Sequence, residues 1–304
     1  MAWGWRMKRR YVTVDVFTDT RFGGNPLAVV LDAEGLDPEA MQAIAREFNY
    51  SETTFVLPPV NPKHSAHVRI FTPGEELPFA GHPNVGTAFA LARIGKVFDH
   101  EITGTLLFEE AAGLVPVRIL HVDGEVSGAE LTAPQDLRLG SEVSPAVIAA
   151  CLGIAEAEVM TELHQPVVAG VGTEFIIAAV ASGATLGRVR PDAAAFARYL
   201  PIDGTSKLLA YTPADDDTVQ AQMFFAVPDI REDPATGSAN AALAALLAHL
   251  APEDDGMFRL FIAQGVEMGR PSLLATRVEK LGGSIMSVRV GGRCVPVMEG
   301  LIDA

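Results

Sequence analysis

Residues Leu77–Gly86 read LPFAGHPNVG, and the stretch continues as TAFALARIG. Further along, Asp233–Ala248 read DPATGSANAALAALLA. The two share a layout: a proline, two residues, a glycine, and then a helix built of small and apolar residues. Gly81 and Gly237 lie 156 positions apart, about half of the 304-residue chain. Both helical runs are apolar nearly all round, the pattern of helices buried on most faces rather than laid on a surface. A repeat at half the chain length predicts two copies of one unit, each enclosing a helix.

The repeat extends upstream. DPEAMQAIAREFNYSETTFV and PDAAAFARYLPIDGTSKLLAY each read as helix, polar turn and short strand. Glu52 precedes Gly81 by 29 residues, and Lys207 precedes Gly237 by 30. Asp37 and Pro38 form an N-cap and first-turn pair, with apolar positions at 41, 44, 45 and 48 on one helical face. Elsewhere the pattern is one of strands: YVTVDVF, LAVVL, TTFVL, HVRIF, TLLFEE, VPVRIL and IMSVRVGG are short, β-branched and bounded by Gly, Pro or Asp. Strands therefore far outnumber helices, and the two most apolar helices have to lie inside sheet. The expected fold is α+β, with two pseudo-symmetric domains, 7–125 and 126–304. Each is a β-barrel-like sheet around a central helix, and the last strand can pack back on the first domain. The linker is expected in HVDGEVSGAEL, near residues 121–131, and the central helices near 83 and 238, with their N-termini turned to a shared cleft.

Composition narrows the function. The formal net charge is −15 and the pI about 4.8, which argues against nucleic acid and anionic membrane surfaces as partners. A hydrophobic content of 49% and a mean hydropathy of +0.24 supply a large core, yet no apolar run reaches the roughly 18–20 residues of a membrane span. The start lacks the apolar stretch and cleavage site of a secretory signal, and Met7 serves as an alternative start, so the cytoplasm is the expected location. Cys151 and Cys294 belong to no CxxC or Cys/His cluster, so neither a disulfide framework nor a zinc site is expected.

Helix N-termini carry the chemistry. The first N–H groups of a helix have no partner within it, and with the helix dipole they favour an anion. Gly81 and Gly237 allow close backbone approach, and His82 and Ser238 follow them at equivalent positions. Two ordinary caps would look the same. Glu52, in NYSETTFV, reads either as a solvated turn acid or as a carboxylate beside an apolar strand, tuned to exchange protons near neutral pH. Asp233, in REDPATGS, reads either as a cap or turn aspartate or as a second acid of the same site.

Taken together, VDVFTDTRFGGNPLAVVL, AREFNYSETTFVLPP, RIFTPGEELPFAGHPNVGTAFAL, EDPATGSANAALAALL and QGVEMGRPS resemble the PhzF-like family, named for phenazine biosynthesis, within the diaminopimelate epimerase-like fold. The matching segments run from about residue 12 to 272. The resemblance implies a cofactor-independent isomerase, a homodimer, and no metal. It makes Glu52 the general acid/base, with His82 and Asp233 assisting. Ser238 and the turns at Gly81 and Gly237 would bind a substrate carboxylate, with Asn25 and Ser51 close by. Related racemases and epimerases use two cysteines, at positions that here are Ala80 and Thr236, so two-thiol chemistry is not expected. In the best-known members the reaction isomerises a dihydro-hydroxyanthranilate; other small amino or hydroxy acids remain open.

Competing motifs are weak. VAGVGTEF lacks the third glycine of a dinucleotide fingerprint, and GHPNVGTA has no lysine for a phosphate loop. His64 and His67, three apart on a predicted strand, would face opposite sides and share no metal. No Ser/His/Asp hydrolase pattern is present. A non-catalytic carboxylate-binding protein and a racemase of the same fold remain the alternatives to an isomerase.

Overall fold

The computed structural model describes residues 7–98, 100–213, 218–226 and 230–304. It divides into two units, one comprising residues up to Leu131 together with Gly291–Ala304, the other Thr132–Val290. The first unit runs β1 (Lys8–Val16), β2 (Asn25–Val30), α1 (Pro38–Phe48), β3 (Glu52–Leu57), β4 (Ala66–Phe71), β5 (Glu76–Leu77) and α2 (Gly81–Ile94). It continues through β6 (Lys96–Val97), β7 (His100–Glu101), β8 (Thr105–Glu110), β9 (Gly113–Val122) and β10 (Glu125–Thr132). The second runs β11 (Arg138–Glu142), α3 (Pro145–Leu152), β12 (Val159–Met160), β13 (Val167–Gly170), β14 (Glu174–Val180), α4 (Gly183–Leu186) and α5 (Ala193–Tyr199). Then follow β15 (Leu208–Pro213), β16 (Thr218–Ala226), β17 (Ile230–Asp233), α6 (Gly237–Leu250), β18 (Gly256–Gln264) and β19 (Ser272–Leu281). β20 (Ser284–Asp303) begins in the second unit and ends in the first.

In the first unit β1 pairs antiparallel with β2, β2 parallel with β3, β3 antiparallel with β4 and β4 parallel with β8. Antiparallel β8–β9 and β9–β10 follow. β20 joins β10 to β1, which closes the ring. Closure needs glycine where the backbones touch: a Cβ on Gly128 would stand 2.0 Å from the Gly292 carbonyl oxygen. The second unit repeats the order of hands, with β13–β14 antiparallel, β14–β15 parallel, β15–β16 antiparallel, β16–β18 parallel and β18–β19 antiparallel. β11 pairs β13 on the other side. Each parallel step follows a crossover, the first carrying α1 or α4–α5 and the second carrying α2 or α6. The molecule is thus α+β, two pseudo-symmetric units each wrapping a barrel-like sheet around a helix.

Burial explains why those helices are apolar all round. α2 is buried from Gly81 to Leu91, and α6 at most positions from Gly237 to Ala248. Gly86 is the close contact of α2 with its barrel wall: a Cβ there would meet Leu27 Cδ2 at 2.6 Å and Val16 Cγ2 at 2.7 Å. Thr54 of β3 and Thr87 of α2 satisfy one another at 2.8 Å in the core. Outside the first barrel, α1 lays Met41 and Ala45 on Val30, Phe55 and Phe71, with Asp37 accepting from Ala40 N and Pro38 opening the helix as its sequence predicts.

Some expectations are corrected. HVDGEVSGAEL is not a linker but the β9–β10 hairpin. Asp123 and Gly124 both take positive φ (53° and 84°), as a two-residue hairpin turn requires, so the division falls after Leu131 instead of after 125. The central helices start at Gly81 and Gly237, earlier than expected. Pro83 sits inside the first turn of α2, where its missing N–H costs no helical bond. His64 is not on a strand. It precedes β4 and its Nδ1 lies 2.7 Å from Glu109 Oε1.

Candidate active site

In the first unit, the opening turn of α2 and the first residues of β2 and β3 meet. β2 and β3 are parallel neighbours with Leu27 opposite Glu52, which places Asn25 and Glu52 at the same end of the sheet. The helix inside the barrel delivers His82 to that end. Asn25 Nδ2 lies 3.3 Å from His82 Nδ1, and His82 Nε2 lies 3.3 Å from Glu52 Oε2. An amide nitrogen can only donate, so Nδ1 accepts, and the ring proton sits on Nε2, near the Glu52 carboxylate. Asn25 is fully buried, and the His82 and Glu52 side chains are 6% and 16% exposed. Burial pushes the imidazole down to about 3, so His82 is neutral in the physiological range. Glu52 is therefore no solvated turn acid. Ser51, half-buried, immediately precedes it.

In the second unit, Asp233 ends β17 and is not the cap of α6; Thr236 is. Thr236 Oγ1 donates to Asp233 Oδ2 at 2.5 Å instead of to the helix. Gly237 is buried and Ser238 half-buried in the first turn. Neither α2, whose cap is Ala80, nor α6 has a side-chain cap or an acid in its first turn. α1, α4 and α5 are capped by Asp37, Ser182 and Asp192. The positive dipole ends of both central helices are thus without a side-chain cap, a feature they share with α3. At the other end of α6, the buried Lys280 ammonium donates to the carbonyls of Ala248 and Ala251 at 3.1 and 2.9 Å.

The sequence-predicted residues form two groups: Asn25, Ser51, Glu52, Gly81 and His82 in one unit, Asp233, Thr236, Gly237 and Ser238 in the other. Sequence reasoning missed the residues that hold the turns. Asn84 and Asn240 stand three positions after the two glycines. Each donates its side-chain amide to the capping carbonyl, Asn84 to Ala80 O at 2.9 Å and Asn240 to Thr236 O at 3.0 Å. Gln264 Oε1 accepts from Asn240 Nδ2 at 2.6 Å and from Thr236 N at 3.2 Å, while its Nε2 donates to Asp233 O at 2.7 Å. The repeat could have revealed both asparagines, and Gln264 opens the QGVEMGRPS segment. Glu232 opens the EDPATGSANAALAALL segment but was given no role there; burial, with Glu267 and Asp233 nearby, pushes it up to about 7.

Both thiols lie elsewhere. Cys151 is buried in α3 and Cys294 in β20, and burial pushes them up to about 11 and 12. Among the described residues no group of three or more His, Cys, Asp and Glu is placed to hold a metal ion, and no helix is long and apolar enough to cross a membrane.

Comparison with known proteins gives the chain's family. The PhzC-PhzF family, described as phenazine biosynthesis-like protein, matches residues 14–300. An uncharacterized isomerase of Mesorhizobium japonicum is 42% identical, with 96% of this chain and 98% of that protein covered. Trans-2,3-dihydro-3-hydroxyanthranilate isomerase of Pseudomonas aeruginosa is 35% identical over the same shares. The crystal structure of a PhzF-family phenazine biosynthesis protein from Bacillus anthracis superposes with a TM-score of 0.85 at 24% identity, covering 97% of this chain and 99% of that one.

Proposed function

The chain belongs to the PhzC-PhzF family and is an isomerase of epimerase-like fold, and from that premise we propose that it moves a proton within a small carboxylate substrate, with Glu52 as general acid/base. The observation that supports this is the Asn25–His82–Glu52 chain at the uncapped start of α2. An isomerisation of this kind breaks a C–H bond and forms one at another carbon, with no net oxidation. It needs one group that accepts a proton from carbon and returns it. A carboxylate beside a neutral imidazole is oriented by it without having its charge cancelled by a cation. As the proton arrives on Glu52, His82 keeps the carboxyl in place, and Asn25 keeps the imidazole in the right tautomer.

The turns at Gly81 and Gly237, with Ser238, are assigned to carboxylate binding, since free helix N–H groups favour an anion. Asp233, held by Thr236, is assigned to a polar group of the substrate. Trans-2,3-dihydro-3-hydroxyanthranilate, the substrate named for the Pseudomonas aeruginosa relative, is the first compound to test, followed by other small amino and hydroxy acids.

The experiment is turnover in deuterium oxide, read by mass spectrometry. Wild-type protein is expected to isomerise a substrate of this class and incorporate solvent deuterium at carbon. Glu52→Gln preserves shape and hydrogen bonding but cannot take a proton, and is expected to lose about 10²–10⁴-fold in turnover while still binding. Near-wild-type turnover by Glu52→Gln would show that the proton travels by another group. Binding of such acids with no exchange in the wild type would instead make this a carboxylate-binding protein.

A further inference from the structure

At the opening of α6, one buried amide has every hydrogen-bonding capacity in use. Gln264, fully buried at the end of β18, accepts at Oε1 from Asn240 Nδ2 at 2.6 Å and from Thr236 N at 3.2 Å. Its Nε2 donates to the Asp233 carbonyl at 2.7 Å and to Thr236 Oγ1 at 3.2 Å. These partners fix which way round the amide lies. A peptide N–H and an asparagine NH₂ only donate, so they face its oxygen; a carbonyl only accepts, so it faces its nitrogen. With one Nε2 hydrogen on the Asp233 carbonyl, the other falls to Thr236 Oγ1. That hydroxyl accepts on the Gln264 side and directs its own proton to Asp233 Oδ2. Amide, hydroxyl and carboxylate thus form a chain of donors running in one direction, and a hydroxyl donating to a carboxylate favours the ionised form.

The first unit has no such chain. The position that opens α2 is Ala80, which carries no hydroxyl, and the acid of that unit, Glu52, comes from β3 and lies beside the neutral His82 ring. The two acids are therefore held by different chemistry. We infer that Gln264 is a positioning residue: by donating to Thr236 Oγ1 it aims the Thr236 hydroxyl at Asp233, and so holds the Asp233 carboxylate ionised and in one orientation. Its second bond, to the Asp233 carbonyl, fixes the backbone that carries the carboxylate. An acid held in this way accepts hydrogen bonds and does not supply protons. Proton transfer is left to Glu52, and Asp233 meets a donor group of the substrate, an ammonium or a hydroxyl. That last step rests on the reading of Asp233 as a substrate-binding residue. The QGVEMGRPS segment thereby enters the site through its first residue, which acts through Thr236.

¹³C-carboxyl NMR of aspartate-labelled protein, with Asp233 assigned by its absence in Asp233→Asn, tests the chain without any substrate. In Gln264→Met and in Thr236→Val the Asp233 carboxyl should titrate about one pH unit higher than in the wild type, since the first releases and the second removes the donor that favours the ionised form. Thr236→Ser keeps the hydroxyl and should return the curve toward that of the wild type. Glu232, with Glu267 nearby, accompanies Asp233 in all of these proteins, so the differences between curves isolate the hydroxyl. Thr236→Val leaves the other three hydrogen bonds of Gln264 in place and carries the test where Gln264→Met does not fold. An Asp233 curve unchanged in Thr236→Val, or unchanged in folded Gln264→Met, would overturn the proposal whatever the enzyme turns over. With trans-2,3-dihydro-3-hydroxyanthranilate as probe, both variants should raise KM about tenfold with a smaller change in kcat, and Thr236→Ser should recover most of the loss. Shifted Asp233 curves with no turnover by the wild type would uphold the role of Gln264 and count against the proposed function alone.

Discussion

His82 shows how one position converts burial into a fixed protonation state. Its ring is sealed in the first turn of α2, and the Asn25 amide on one side leaves it a single proton, on the nitrogen near Glu52. Keeping it neutral has a consequence for stability. The folded imidazole is held at about 3, below the ordinary value of 6.5, so the unfolded chain binds a proton between those limits that the folded chain does not. Stability from this group is fully present above pH 6.5 and is lost as pH falls toward 3, at no more than about 1.4 kcal/mol per pH unit. Urea unfolding from pH 7 to 4 should show this decline in the wild type and a shallower one in His82→Gln. Equal slopes in the two proteins would mean that His82 is not the group responsible. Glu110 acts in the opposite sense: its folded value, near 8, lies above the ordinary one, so its contribution is present below about pH 4.5 and fades as pH rises through 8.

Among the elements, α6 carries the clearest division of labour. Its C-terminal carbonyls are closed by the Lys280 ammonium from β19, a cation on the negative end of the dipole, and its N-terminus is left without a side-chain cap. Lys280→Met keeps the buried stem but leaves the carbonyls of Ala248 and Ala251 without that donor. It should cost about 1–3 kcal/mol in chemical denaturation, with little effect on anion binding at the other end. A cost within experimental error would show that water replaces the ammonium there. At this scale the sequence was highly legible where periodicity was strong. Asp37–Pro38 predicted the start of α1, and the small-residue runs predicted two enclosed helices. It misled at HVDGEVSGAEL, where a Gly-rich, polar composition suggested a linker. Asp123-Gly124 is equally the strongest short hairpin signal, and the β9–β10 pairing decided between them.

For the whole molecule, the last strand matters most. β20 pairs with β1 from Lys8 opposite Asp303 to Val16 opposite Cys294, so the first barrel is closed by residues from the far end of the chain. A chain ending at Val290 would expose the ladder edges of β1 and β10 and open the wall around α2. It should expose apolar surface, aggregate and be cleaved first within residues 7–131 in limited proteolysis. A monodisperse truncated protein with native near-ultraviolet dichroism would show that the barrel stands without this strand.

Taken by itself, the sequence determined the two-fold repeat, the α+β class, the enclosed helices and the glycines that open them. These follow from local periodicity and from spacing along the chain. It also singled out Glu52, His82 and Asp233, through motifs whose resemblance to a family is spread over nearly the whole length. What it left undecided were relations among residues far apart in the chain: Asn25 setting the tautomer of His82 from β2, Gln264 reaching the α6 turn from the end of β18, and Lys280 closing α6. Only the tertiary structure decides these, because a hydrogen bond depends on which strand ends lie side by side, and barrel closure brings together groups that no local pattern connects.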